Sequence, residues 1–121
     1  MIDLSYGDSK TIIHDPTIRL TNLIIQYYNQ RGLKWPNPWQ ALAWAHTELG
    51  EAYECMLAAS GGWVRNNPQD HPEGWDKDKF GEELGDAVMM LVVAGIKAGV
   101  DVEEILRAKI RRKLEEKSRA S

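Results

Sequence analysis

Two short stretches of the sequence carry acidic side chains in the same pattern. The stretches 48–52 and 83–87 read ELGEA and ELGDA, so each holds two carboxylates three residues apart. On an α-helix this spacing places both carboxylates on one face, about one turn apart. The acidic residues are Glu48 and Glu51 in the first stretch and Glu83 and Asp86 in the second. If both stretches are helical, they present two matched pairs of oxygen ligands.

Apolar residues surround the two acidic pairs at matching positions. They stand three residues before the first glutamate of each pair and one, four and eight residues after it. They are Ala45, Leu49, Ala52 and Met56 in the first copy and Phe80, Leu84, Ala87 and Leu91 in the second. Such residues form a stripe along a helix, with the carboxylates at its edge. Two helices packed by these stripes would bring all four carboxylates together.

A cluster of four carboxylates requires a cation, because like charges repel strongly in a partly buried site. Oxygen-only ligands favour Mg²⁺ or Mn²⁺ over zinc. A di-iron bundle also uses carboxylates from facing helices, but its Glu-x-x-His element is missing from both stretches. The competing interpretation is solvated surface charge on each helix. The duplicated pattern favours a non-redox Mg²⁺ site.

Glycines inside both motifs strengthen this interpretation. Gly50 and Gly85 lie in the middle of predicted helices, where a glycine costs about 1 kcal/mol relative to alanine. Close approach of a helix backbone or of a ligand would explain why both copies carry a destabilising glycine at the same position. We therefore expect something to lie close to both glycines.

The chain as a whole predicts an all-α fold of four helices. Asp15-Pro16 and Asn37-Pro38, each a side-chain cap followed by proline, mark the starts of the first two helices. Glycines mark helix ends, and no strand pattern lies between the helices. The predicted helices run over 16–31, 38–59, from Asp76 or Asp78 to 98, and over 101–117. Asp101 and Glu104 form a capping box that opens the last helix.

At this length we expect a single domain over residues 1–121. It would have an irregular N-terminal segment, 1–14, and a long loop, 60–76, between the two acidic helices. A connection of that length is usually functional, and we expect it either to fold over a substrate or to pack on a neighbouring subunit. Residues 88–96 are apolar nearly all round, which predicts a subunit interface.

Composition and charge indicate which partners and which cellular compartment to expect. With a net charge of −3, the chain lacks the excess of basic residues that is typical of proteins that bind nucleic acid polymers. No apolar run reaches the ~18 residues of a membrane span, and the N-terminus lacks a basic region followed by an apolar segment. The single cysteine, Cys55, cannot form an intrachain disulfide and falls in a predicted helix. We expect a cytoplasmic protein without a membrane partner.

The order of these motifs resembles that of the MazG family. Glu-x-x-Glu on one helix is followed by Glu-x-x-Asp on the next, then an apolar helix, then Gly-x-Asp before a basic last helix, over about residues 37–113. This all-α nucleoside triphosphate pyrophosphohydrolase superfamily also contains dimeric dUTPases and phosphoribosyl-ATP pyrophosphohydrolases. The resemblance implies a four-helix MazG-like bundle assembled as a homodimer or homotetramer. It also implies Mg²⁺-dependent hydrolysis of a (d)NTP to (d)NMP and pyrophosphate.

The resemblance implies roles for the acidic residues. The metal ligands would be Glu48, Glu51, Glu83 and Asp86, holding Mg²⁺ with Mn²⁺ as a substitute. The family commonly has a glutamate just before the first ligand, and in some members it orients the attacking water. Here that position is Thr47, which is not a carboxylate base. We therefore expect Glu48 or Glu51, or the metal alone, to activate the water.

Basic and amide side chains complete the expected site. Lys109 stands where the family often has a phosphate-binding lysine, and Lys113 lies one turn further on the same face, with Arg112 beside it. The alternative to phosphate binding is that these three residues form a solvated basic face of the last helix. Asn37, Gln40 and Trp44 lie on the same face of the second helix as the acidic pair and could stack on and hydrogen-bond a nucleobase. Core packing is the alternative for Trp44.

The expected function is therefore control of the nucleotide pool by a Mg²⁺-dependent pyrophosphohydrolase, with the base left open. A first alternative is a catalytically silent helical module for oligomerisation or regulation. The presence of all four carboxylates argues against it, because a silent relative could lose any of them. A second alternative is phosphoribosyl-ATP pyrophosphohydrolase, which differs in its substrate.

Overall fold

A computed structural model describes residues 2–7, 17–60 and 76–120, apart from the side chains of 58–60 and 118–120. Within these residues the fold is all-α and contains no strand. The helices are α1 (Leu20–Arg31), α2 (Pro38–Ser60), α3 (Lys77–Lys97) and α4 (Val102–Ala120). The predicted all-α class and the four helices are confirmed. In the part of the chain that the structure describes, no helix is long and apolar enough to cross a bilayer.

The helix boundaries follow the local signals in most places. Helix α2 begins at Pro38, as Asn37-Pro38 predicts, and α3 ends shortly before Gly99, whose φ of 79° is left-handed. The predicted start of α1 at residue 16 is wrong, because residues 17–19 are not helical and the helix begins at Leu20. The Asp15-Pro16 signal and nearly all of the 60–76 loop lie outside the described residues.

The chain divides into two compact units, Met1–Pro38 with Val92–Ser121, and Trp39–Leu91. We call them unit one and unit two. The core of unit one contains side chains from α1 and from the end of α3. They are Ile24, Ile25 and Tyr28 with Val92, Val93, Ala94 and Ile96. The chain itself therefore buries most of the apolar run that predicts an interface, but Val88 and Leu91 stay 47% and 46% exposed.

The core of unit two consists of small side chains. Ala41, Ala45, Ala52 and Cys55 on α2 and Ala87 on α3 are buried. Much of the predicted packing stripe is not buried. The prediction is wrong for four of its five larger residues, which are exposed: Leu49, Met56, Leu84 and Leu91. The buried positions of unit two hold small side chains, and these larger apolar side chains lie on the exposed side of the stripe.

A polar network in unit one joins the first turns of α1 and α4. Asp101 Oδ1 accepts the Glu104 N–H at 3.1 Å and thereby caps α4, as predicted, and it also accepts the Thr21 hydroxyl at 2.8 Å. Glu103 Oε1 accepts the Leu20 N–H at 2.9 Å, so a carboxylate of α4 caps α1. Arg19 bonds both carboxylates. The start of α1 therefore depends on a residue more than eighty positions away in the chain.

These contacts set the charge state of both carboxyls. The hydrogen bond from the Leu20 N–H, aided by Arg19, lowers the pKa of Glu103. Burial acts to raise the pKa of Asp101, but the bonds from Glu104, Thr21 and Arg19 outweigh burial and lower it. Because both pKa values lie below those of an unfolded chain, the stabilisation is complete above about pH 4.5 and is lost as the pH falls through the folded values.

Replacement of Asp101 by alanine is expected to lower the free energy of unfolding by about 2–3 kcal/mol. The change removes a helix cap, worth about 1 kcal/mol, and leaves the buried Thr21 hydroxyl without its acceptor, at a further ~1–2 kcal/mol. Urea denaturation followed by far-UV circular dichroism measures this.

Asp76→Ala is the matched control, because Asp76 Oδ1 makes the same cap on α3 by accepting the Lys79 N–H at 3.0 Å. That variant should lose only about 1 kcal/mol. Equal losses for the two variants would show that the bond between Asp101 and Thr21 contributes nothing.

Candidate metal centre

The four predicted acidic ligands all lie in unit two, on α2 and α3. Three of them meet, since Glu48, Glu83 and Asp86 each offer a carboxylate oxygen and these oxygens lie within 4.8 Å of one another. We call these three residues the acidic triad. Glu48 and Glu83 are half-buried and Asp86 is exposed, so the triad opens to solvent on one side. The matched spacing in the sequence correctly predicts that the two helices aim acidic side chains at one place.

Glu83 is the most strongly perturbed member of the triad. Its Oε2 atom is buried, and no group in the described residues donates a hydrogen bond to it. The hydrogen bond with the carboxyl of Glu48 raises the pKa of Glu83 to about 8, with burial and the carboxyl of Glu51 adding to the shift. Two carboxyls that hydrogen-bond each other must share a proton. The cluster is therefore stable only if a proton or a cation offsets part of its charge.

The geometry of the triad fits a small divalent cation. Magnesium binds oxygen at about 2.0–2.1 Å, so two oxygens of one ion lie at most about 4.2 Å apart. Oxygens already within 4.8 Å need only small side-chain rotations to reach that spacing. A donor set made only of carboxylate oxygens suits Mg²⁺ or Mn²⁺ better than zinc, which takes nitrogen or sulfur ligands in most of its sites.

Glu51 lies beside the triad rather than in it. Its carboxyl is within hydrogen-bonding reach of Glu83, but it is not one of the three residues whose oxygens converge. Thr47, where the family commonly has a glutamate, is exposed, and its hydroxyl donates to the carbonyl of Ala43 at 3.2 Å. Glu51 therefore offers a further carboxyl beside the triad, within hydrogen-bonding reach of Glu83.

Among the described residues, nothing closely approaches the two motif glycines. A Cβ added at Gly50 or at Gly85 would meet nothing within 4 Å there. The prediction is therefore wrong for the described helices of the same molecule. A ligand or a second molecule remains as an explanation for both glycines.

The three side chains predicted to bind a nucleobase are all at least partly exposed. Trp44 is 51% exposed, so its alternative interpretation as a core residue is wrong. Gln40 is also exposed, and Asn37 is half-buried just before α2 begins. Trp44 follows the same face of α2 as Glu48 and Glu51 by helical spacing. An exposed indole near the acidic face is compatible with base stacking, and the role of all three residues stays a prediction.

The predicted phosphate ligands lie in unit one. Lys109, Arg112 and Lys113 are on α4, and all three are exposed. Phosphate binding by these residues stays a prediction, and so does the alternative interpretation that they form a solvated basic face.

The structure adds a feature that the motif pattern does not predict. A groove of about 440 Å³ in unit two has an almost wholly apolar lining. It is lined by His46, Leu49, Gly50, Ala52, Tyr53, Phe80 and Leu84. On both helices a buried alanine, Ala52 or Ala87, lies by helical spacing between the acidic edge and this apolar edge. The repeat of large apolar residues every seven positions, at 42, 49 and 56, is the signal that could have revealed it.

The raised pKa of Glu83 makes stability depend on pH in an unusual direction. An unfolded glutamate ionises near pH 4.3, whereas folded Glu83 keeps its proton up to about pH 8. Between these values the folded state holds more protons than the unfolded state, so the free energy of unfolding falls as the pH rises. In the presence of a chelator we expect the melting temperature to fall from pH 5 to pH 8.

Glu83→Gln should remove most of this slope and raise the melting temperature at pH 8, since the amide mimics the protonated acid. Glu82→Gln, at an exposed neighbouring position, is the matched control and should leave the slope unchanged. Identical pH profiles for wild type and Glu83→Gln would contradict the account of the cluster.

Comparison with models of known protein families, with curated proteins and with solved structures finds no match.

Proposed function

We propose that this protein is a Mg²⁺-dependent nucleoside triphosphate pyrophosphohydrolase, with Mn²⁺ as a substitute, that hydrolyses a (d)NTP to (d)NMP and pyrophosphate. The observation that carries the proposal is that Glu48, Glu83 and Asp86 each offer a carboxylate oxygen and that these oxygens lie within 4.8 Å of one another. The MazG-like order of the motifs supplies the reaction class. The proposal includes a MazG-like bundle that self-associates and controls the nucleotide pool in the cytoplasm.

The acidic triad would hold the cation. When bound, a divalent cation neutralises charge on the phosphates and lowers the pKa of a nearby water. Glu48 and Glu83 would bind it from the buried side and Asp86 from the open side, where a triphosphate can enter. Ionisation of Glu83 is part of binding, because a protonated carboxyl is a poor ligand. Cation affinity should therefore rise as the pH increases towards 8.

Glu51 would act on the water. Hydrolysis requires a water oxygen to attack phosphorus at the bond between the α- and β-phosphates while the P–O bond to the leaving group breaks and pyrophosphate departs. A general base takes the proton that the water loses. Glu51 sits beside the triad without belonging to it, so it can accept this proton. Lys109, Arg112 and Lys113 would bind the phosphates, and Asn37, Gln40 and Trp44 the base.

The reaction class is tested with the wild-type protein. The protein is incubated with each common NTP and dNTP in the presence of Mg²⁺, and the products are separated by ion-exchange chromatography. We expect monophosphate and pyrophosphate from at least one substrate. Diphosphate and single phosphate would contradict the reaction class, and no turnover of any substrate would favour the silent helical module. Phosphoribosyl-ATP is added to the panel to test the alternative substrate.

Two substitutions separate the proposed roles. Glu83→Gln should weaken Mn²⁺ binding, measured by electron paramagnetic resonance, by about 10–100-fold and reduce activity with it. Glu51→Gln should reduce kcat by about 10²–10⁴-fold while it leaves Mn²⁺ affinity within a few-fold of wild type. Glu82→Gln is the matched control for both. A Glu51→Gln protein with wild-type turnover would remove Glu51 from the mechanism.

A further inference from the structure

Lys79 is a cationic side chain on the acidic edge of unit two. Among the described residues of unit two, the lysines and arginines are Lys77 and Lys79, both in the first turn of α3. Lys79 is half-buried and Lys77 is exposed. Lys79 stands four residues before Glu83 and seven before Asp86, so helical spacing places all three on one face of α3. By the same spacing, Lys77 falls on nearly the opposite side of the helix.

The buried thiol of Cys55 shows where Lys79 lies relative to α2. Burial raises the pKa of this thiol, while the charge of Lys79 acts against the increase and the charge of Glu83 adds to it. Both of these side chains therefore lie near Cys55. Because Cys55 follows Glu51 by four residues, it lies one turn beyond Glu51 on the acidic edge of α2.

Neighbouring residues on the acidic edges of α2 and α3 follow an antiparallel order. Positions rise along α2 as they fall along α3 in three successive pairs, which are Glu48 with Asp86, Glu51 with Glu83, and Cys55 with Lys79. Lys79 therefore comes directly after the acidic residues, about 6 Å from Glu83 along the helix axis. The basic residues proposed to bind phosphate on α4 belong to unit one, so Lys79 adds a positive charge within unit two itself.

Lys79 leaves the acidic triad unneutralised. The Oε2 atom of Glu83 is buried and receives no hydrogen bond from any described residue, Lys79 included. The described residues also show no salt bridge between Lys79 and Glu83, although residues four apart on a helix are near enough to form one. Lys79 is therefore suited to an anion that binds together with the cation, since a lysine ammonium carries three donors and is a frequent ligand of phosphate.

We propose that Lys79 binds the phosphate chain of the substrate next to the phosphate that the cation holds, and that the site therefore selects compounds with at least two linked phosphates. A divalent cation at the triad binds one phosphate through its oxygens. The next phosphate of the chain would lie towards the start of α3, where Lys79 donates to its oxygens. This inference rests on the proposed function, because a phosphate chain approaches an acidic edge only when a cation is bound there.

Pyrophosphate binding tests the role of Lys79 without catalysis. In excess Mg²⁺, isothermal titration calorimetry should show that Lys79→Gln weakens pyrophosphate binding by about 10–100-fold, because a charge-assisted hydrogen bond is lost. Inorganic phosphate, which the cation holds by itself, should lose at most a few-fold. Lys77→Gln is the matched control and should leave both affinities unchanged. Lys79→Arg, which keeps the positive charge, should retain most of the pyrophosphate affinity.

Manganese binding separates this role from a structural one. Measured by electron paramagnetic resonance without any anion, the Mn²⁺ affinity of Lys79→Gln should equal or exceed that of wild type, because the substitution removes a positive charge near the cation. Weaker Mn²⁺ binding by Lys79→Gln would overturn the inference in favour of a structural role. A wild type that binds no pyrophosphate, or equal pyrophosphate affinities for Lys77→Gln and Lys79→Gln, would also overturn it.

Failure of this inference differs from failure of the proposed function. A protein that hydrolyses a (d)NTP to (d)NMP and pyrophosphate, with KM and pyrophosphate affinity unchanged by Lys79→Gln, would overturn the role of Lys79 alone. A protein whose Mg²⁺-dependent pyrophosphate binding is weakened by Lys79→Gln, but which hydrolyses no nucleotide, would overturn the proposed hydrolysis alone.

Discussion

Repulsion between neighbouring carboxylates is the constraint on which unit two depends. Glu48, Glu83 and Asp86 place oxygens within 4.8 Å of one another, and Glu51 adds a further negative group next to Glu83. Partial neutralisation of its charge stabilises such a cluster. A proton on Glu83 does this, and the hydrogen bond with Glu48 raises the pKa of Glu83 to about 8. A divalent cation does the same and also creates a place for a polyphosphate to bind.

Small buried side chains separate the acidic residues of unit two from its exposed leucines. Ala52 on α2 and Ala87 on α3 are buried, whereas Leu49 and Leu84 are 55% and 37% exposed. By helical spacing, the acidic residues lie on one side of each alanine and the leucines on the other. The acidic triad and the exposed leucines therefore border the same buried stripe.

The sequence predicts features that depend on neighbours in the chain better than features that depend on distant residues. The starts of α2 and α4 are correct because Pro38 and Asp101 act within their own first turns. The start of α1 is not, because its cap is Glu103, far along the chain. Convergence of the triad follows from matched spacing. The width of the buried stripe does not follow from the sequence, because periodicity gives the direction of a side chain and not how near the facing helix comes.

The claim that the triad is a cation site is tested most directly by a crystal structure of the protein grown with Mn²⁺, with diffraction measured at a wavelength where manganese scatters anomalously. The account predicts an anomalous peak within bonding distance of carboxylate oxygens from Glu48, Glu83 and Asp86. A triad without a peak, in a protein saturated with Mn²⁺, would contradict it.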